Sequence, residues 1–294
     1  MSSESSPRPV SSPAPSHRRL RLWFVLIAVV VGAIVADGSR ITPADPTKPI
    51  LVYSETHTPM LSPDATVLRV ATFNIHSGRG TDRRYDLART AAVFTSPPDV
   101  LGLNEVRGTW NESLWPDQAA QLGGLLGMQS AFVPTERRWW HDHFGNALLT
   151  RLPLRQIHRL PLAGTRGKAF RCATLAQFEF QQQTVQLLAV HVDSQSDREA
   201  QLRAVIALFL GLQSPAILLG DLNSKPDDPQ LQELLAHPDI VDALHEAPPD
   251  ARGRQHIDWI LAKGFHCRTA RLIANDASDH PAAEAELEIL SLSR

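Results

Sequence analysis

The stretch Ala216-Ile217-Leu218-Leu219-Gly220-Asp221-Leu222-Asn223 decides how this chain is read. Its first four residues are a short apolar run closed by glycine, the pattern of a fully buried strand. The six that follow, Ser224-Lys225-Pro226-Asp227-Asp228-Pro229, are turn formers. On an extended backbone Asp221 and Asn223 point to one face, so a carboxylate and a carboxamide leave the strand side by side. Together they can accept from and donate to one water or phosphate oxygen, which is what a hydrolase needs. Taken alone, these residues fit better a polar strand end that caps a turn. Partners elsewhere have to decide.

Working outward, short apolar segments alternate with helical ones. Strands are expected over 67–74, 99–103, 146–150, 154–160, 168–180, 185–192, 257–261, 267–273 and 283–290, and helices over 86–94, 117–126 and 197–212. Runs of adjacent strands with helices between them predict an α/β domain of two packed mixed sheets with helices outside, a four-layer α-β-β-α sandwich. With 294 residues, 43% of them hydrophobic, the chain can fill such a core. No repeat of 20–50 residues is visible.

Before residue 67 the composition changes. Residues 1–21 are a Ser- and Pro-rich leader ending in Arg18, Arg19 and Arg21. Residues 22–36 are an uninterrupted apolar run, read as a signal-anchor or signal-peptide segment that leaves the arginines in the cytoplasm and exports the rest. Residues 37–66, with five prolines, read as an extended linker to a domain over 67–294. From Leu22 onward the chain carries 25 basic and 30 acidic residues, a net charge of −5. That excludes DNA binding by bulk electrostatics. Cys172 and Cys267 define neither a zinc site nor a disulfide framework; they form one bridge or stay as two thiols.

Several expected strands end in a polar residue that a buried strand does not need: Asn74, Glu105, His191, Asp258, and the Asp279-His280 pair. Each alone is as well explained by capping. Their recurrence points to one rim, where α/β enzymes build sites. In this order the segments FNIHSG (73–78), DVLGLNEV (99–106), FGNALLTRLPL (144–154), AVHVD (189–193), ILLGDLNSKPDD (217–228), HIDWIL (256–261) and SDH (278–280) resemble the endonuclease/exonuclease/phosphatase superfamily. This is the fold of pancreatic deoxyribonuclease and neutral sphingomyelinases.

The resemblance implies a metal-dependent phosphoesterase. Glu105 would be the principal Mg²⁺ ligand (Mn²⁺ being the alternative ion), with Asn74 beside it and Asp279 joining the metal site or orienting water. Asp221 and Asn223 would position the attacking water, with Asp221 drawing its proton. His280 would stabilise or protonate the phosphoryl oxygens while Asp258 holds its other ring nitrogen, and His191 would be a second donor to the phosphate. The chain departs from the family pattern at Asn104, His256 and Trp259, without losing a group the chemistry needs. Arg171, Arg198 and Gln201 also look family-like and read as braces of the sheet rather than phosphate contacts. His141-Asp142-His143 lacks partners at zinc spacing and reads as a loop. Trp139-Trp140 reads as packing before a substrate platform. Arg83-Arg84 and Arg137-Arg138, placed in loops, are solvated charge or substrate contacts in equal measure. The expected substrate is a lipid headgroup or small-molecule phosphoester, ahead of nucleic acid, met outside the cytoplasm by a monomer tethered through its N-terminal segment. An extracytoplasmic nuclease is the competing reading, and an inert binding module of the same fold a more distant one.

Overall fold

The computed structural model describes residues 17–37, 50, 52–53, 61–109, 117–138, 141–162, 170–250 and 256–290. Trp139 and Trp140 lie outside them. The chain divides into two units, residues 1–39 and 40–294.

In the first unit α1 (His17–Asp37) contains the apolar run, and its side chains from Leu20 to Val35 are exposed. The membrane-crossing segment expected here is not supported: among the described residues no helix is long and apolar enough to cross a membrane. Fifteen apolar residues at 1.5 Å rise span about 22 Å, against a hydrocarbon core of about 30 Å.

The second unit is the expected sandwich. One sheet holds seven strands, β1 (Val52–Tyr53), β2 (Leu68–Asn74), β3 (Val100–Arg107), β4 (Gln129–Arg138), β5 (His141–Thr150), β12 (Phe265–Ile273) and β13 (Ala282–Ile289), in the order β1-β4-β5-β3-β2-β13-β12. The other holds six, β6 (Leu154–Pro161), β7 (Cys172–Phe180), β8 (Gln183–His191), β9 (Ala216–Asp221), β10 (Ile240–Asp242) and β11 (Asp258–Lys263), in the order β10-β11-β9-β8-β7-β6. Each is mixed, with one parallel pair at its centre, β2–β3 and β8–β9. Val52–Tyr53, inside the segment expected to be linker, adds an edge strand against β4.

Three apolar layers follow from strand alternation. Val70, Leu148, Phe178, Leu187, Leu219 and Ile260 meet between the sheets. Phe73, Leu101 and Leu149, on the outer face of the first sheet, are covered by α2 (Leu87–Ala91) and α3 (Gln118–Leu126). Leu188, Val190, Leu218 and Trp259, on the outer face of the second, are covered by α4 (Arg198–Gly211) and α5 (Pro229–Leu235). Helix starts match their local chemistry: the carboxylates of Asp86, Asp117 and Asp228 accept hydrogen bonds from the backbone N–H of Arg89, Ala120 and Gln230. At Gly102 the sheets come so close that a Cβ would stand 2.2 Å from Leu219 Cδ1.

Two stretches read as loops are strands. Arg137-Arg138 ends β4, and His141-Asp142-His143 opens β5, in register Arg137↔Asp142 and Arg138↔His141. Their polar sequence has no period of two. The placing of Arg137 opposite Asp142 and two register shifts around Glu136 accommodate it. Cys172 is buried and Cys267 half-buried, and both are free thiols.

Candidate active site

Register explains why residues far apart in sequence meet. In the second sheet His191 stands opposite Asp221, and Asp221 opposite Asp258, so three strand ends lie in a row. In the first sheet Asn74 stands opposite Asn104. Both parallel pairs end on the same rim, and side chains bridge the sheets there. Asn74 Nδ2 donates to Asp221 Oδ2 at 3.1 Å and to Glu105 Oε1 at 3.3 Å. Asn104 Oδ1 accepts from the N–H of Asp221 at 3.1 Å while its Nδ2 donates to Val190 O at 2.9 Å.

Asn104 and Glu105 are consecutive, and in a regular strand they would face opposite sides. A register shift between Leu103 and Val106 and a left-handed backbone at Glu105 (φ 59°) let both turn toward the rim. Asn223 is left-handed too, at φ 47°. Its backbone N–H donates to Asp221 Oδ1 at 2.8 Å, and its Nδ2 to Val192 O at 2.8 Å. The carboxylate of Asp221 is thereby held on both oxygens. Trp259, noted as a departure, is fully buried and donates from Nε1 to Ser224 O at 2.8 Å, which pins the loop after Asn223.

His280 arrives from the loop between β12 and β13. Ser278 Oγ donates to Asn74 O at 2.7 Å, and Asn275 donates to His280 O at 3.2 Å, so the loop is tied to the first sheet. His280 Nδ1 lies 2.8 Å from Asp258 Oδ2, and its Nε2 lies 3.9 Å from Asp221 Oδ2. Burial opposes the imidazolium, but the hydrogen bond and charge of Asp258, with Asp221 and Asp279 beyond, raise its pKa to about 9. Asp221 is likewise pushed up, out of the usual carboxylate range. Its burial and the neighbouring Asp258 raise it to about 7, against the pull of His280. Burial and the charges of Arg171 and His280 lower His191 well below the ordinary imidazole value, so it is neutral.

All eight expected residues therefore join one contiguous set. Asp279 stands at its edge, its Oδ1 3.6 Å from His76 Nδ1. Asn104 was noted in the sequence only as a departure, and its role as a bridge between the sheets was not foreseen; neither was the tie made by Ser278. The available signal was a polar residue inside a buried run at Asn104 and a hydroxyl beside the Asp279-His280 pair.

The donors around Glu105 fit a hard divalent cation. They are oxygens, and Mg²⁺ needs few of them because it keeps most of its waters. Asn74 Oδ1 accepts from the His76 N–H at 3.1 Å, which turns its NH₂ toward the two carboxylates. In this orientation Asn74 braces Glu105 and presents no lone pair. Asp258, Asp221 and Asp279 act on His280, and Glu105, Asp193, Asp221 and Glu136 on Arg171, an acidic excess that one divalent ion would offset. Asp221, Asp258 and His280 also bring one ligand atom each within 4.8 Å of one another. The short Asp258–His280 contact makes that group a His–Asp pair facing a second carboxylate.

Two packed mixed sheets with this rim define a phosphoesterase fold. The chain belongs to the Endonuclease/Exonuclease/phosphatase family, whose model matches residues 71–280. Among solved structures it is similar to an endonuclease/exonuclease/phosphatase from Beutenbergia cavernae, at TM-score 0.63 and 23% identity, over 77% of this chain and 72% of that one. It is similar also to a mannosyl-6-phosphatase of Bacteroides thetaiotaomicron, at TM-score 0.60 and 17% identity, over 75% and 99% of the two chains. The human Nocturnin catalytic domain, solved with a bound sulfate anion, matches at TM-score 0.59 and 17% identity over 84% and 100%. No curated protein sequence matches the chain.

Proposed function

We propose that this chain is a Mg²⁺-dependent hydrolase of phosphoester bonds, chiefly phosphodiesters, acting by direct attack of water. The observation that carries the reading is the Asp258–His280 pair facing Asp221 across 3.9 Å. One group there is set up to accept a proton and the other to give one, at the same place.

Asp221, with a pKa of about 7, is the base for the attacking water; the N–H of Asn223 and the NH₂ of Asn74 keep its oxygens aimed. His280, protonated below about pH 9, stands beside that water rather than across the phosphorus from it. Its proton therefore serves a phosphoryl oxygen next to the point of attack. Asp258 holds Nδ1–H and keeps the ring turned. His191 lies behind Asp221, its Nε2 3.6 Å from Oδ2, and is a neutral donor for the same cluster of oxygens. Held by Glu105, with Asn74 and Asp279 beside it, Mg²⁺ (or Mn²⁺) would neutralise phosphate charge.

A small-molecule or lipid-headgroup phosphoester is favoured over nucleic acid. The net charge of −5 beyond Leu22 offers no phosphate-tracking surface, and a fold neighbour acts on a sugar phosphate. We place the activity outside the cytoplasm, with export through the N-terminal segment, because Arg18, Arg19 and Arg21 precede its apolar run. Protease accessibility of the domain in intact cells tests the location. For the substrate, the full chain is assayed with Mg²⁺ on mixed phospholipids, sugar phosphates and plasmid DNA. Release of headgroup or phosphate is expected; plasmid nicking without either would move the assignment to a nuclease. No Mg²⁺-dependent hydrolysis of any substrate would remove the enzymatic reading.

A further inference from the structure

We propose that Arg171 is a positioning residue that holds His191 as the neutral Nε2–H tautomer, so that His191 serves the reaction as a hydrogen-bond donor and never as a base. The proposal deepens the hydrolase reading and rests on it for its catalytic meaning; its structural part stands independently.

Arg171 directly precedes β7, where that strand meets the exit of β8, and its backbone carbonyl accepts from Leu162 N at 2.9 Å. Its Nη1 lies 3.1 Å from His191 Nδ1. A guanidinium has only donors, so this contact is a hydrogen bond only if Nδ1 carries a lone pair. The one ring proton then sits on Nε2, the atom 3.6 Å from Asp221 Oδ2. Rotating the ring or moving the proton would bring two N–H groups together at Nδ1, or aim a lone pair at a carboxylate. Neither is tolerable at a side chain that is only 2% exposed.

Arg171 is itself largely buried, and burial lowers its pKa while Glu105, Asp193, Asp221 and Glu136 favour its charge. Those carboxylates keep the guanidinium charged, and its Nη1 faces His191. The groups around the His191 ring, Arg171, His280 and Asp221, leave room for one proton only: both cations disfavour a second. Arg171 therefore does for His191 the reverse of what Asp258 does for His280. One imidazole is locked as a neutral donor and the other as an acid, within reach of the same Asp221 carboxylate.

The test reads the ring directly. In the full chain labelled with ¹⁵N, two-bond ¹H–¹⁵N correlations assign His191 by its loss in His191→Gln. Between about pH 6 and pH 8, where an ordinary imidazole titrates, His191 is expected to keep a protonated Nε2 and a bare Nδ1. A protonated Nδ1 or an imidazolium anywhere in that range overturns the proposal, whether or not the protein hydrolyses phosphoesters. Arg171→Met should release the lock, mixing the tautomers and lowering kcat about tenfold, the factor of one lost orienting hydrogen bond, while KM changes less. Arg171→Lys, which restores a donor, should recover the Nε2–H signature. His191→Gln, whose amide supplies a neutral donor, should retain more activity than His191→Ala; equal loss in the two would mean that the ring acts as a base. Loss of all hydrolysis with the tautomer intact would fault the enzymatic reading alone.

Discussion

His280 keeps its proton through neutral pH because Asp258 lies 2.8 Å from its Nδ1. Asp221 gives up its own only near pH 7 because it is buried beside Asp258. The sign of the pH dependence follows. Turnover should rise as pH passes about 7 and Asp221 ionises, and fall as pH passes about 9 and His280 loses its proton. Replacing Asp258 with Asn should move the alkaline limb to lower pH and lower the maximum. The same raised pKa acts on stability: His280 contributes fully below its unfolded value of about 6.5, and the contribution is lost as pH rises through about 9. Thermal unfolding of the protein and of Asp258→Asn across pH 6–10 would measure it. His280→Ala and Asp221→Asn should each cut turnover at least ~10²-fold, the lower range for acid–base groups. Asp258→Asn should cost less, since Asp258 acts only through His280, holding its ring and its proton. If kinetics showed the three variants equal, the division of roles drawn here would fail. The identity of these residues was legible because each ends a strand in a recognisable motif; their protonation was not, because it depends on neighbours brought from other strands.

At the scale of elements, the rim depends on a few departures from regular backbone. Gly220 has φ +136°, and a Cβ there would stand 2.0 Å from Val190 O on the paired strand. Gly220→Ala should therefore destabilise the protein by about 2 kcal/mol or more, read by denaturant unfolding, and displace the adjoining Asp221. Unchanged stability would mean that β8 and β9 can part without cost. Glu105 needs its left-handed backbone to share a face with Asn104, and such residues gather at functional sites. This shift is invisible in the sequence, where the strand is expected to end at residue 103 with Glu105 simply following it. The β4–β5 hairpin was missed for a related reason: its polar ends lack alternation, and only pairing makes them strands. Helix α5 and strand β10 were also not foreseen. Both are short, seven and three residues, and follow a loop so rich in turn formers that no period emerges.

At the scale of the molecule, the site is a seam between sheets. Asn104 ties it by serving both Asp221 and Val190 in the other sheet. Asn104→Ala would remove the side-chain hydrogen bonds to the Asp221 N–H and the Val190 carbonyl in a dry place, at about 1–3 kcal/mol. Loss of stability should be accompanied by loss of turnover, because the same bond aims Asp221. Glu105 and Asp279, which would hold a divalent ion, lie by contrast outside the apolar layers. A chelator should abolish hydrolysis while circular dichroism and the unfolding midpoint change little. Full activity in excess chelator would exclude the metal mechanism.

What the sequence determined by itself was the class of architecture and the chemical inventory. Strand periodicity, the closing glycine at 220 and the seven ordered motifs are local, so they survive without coordinates. Tertiary structure alone decided the register that aligns His191, Asp221 and Asp258, the bridge through Asn104, and which imidazole carries a proton. Those are properties of pairs distant in sequence, set by the field and the hydrogen bonds that packing brings to each group.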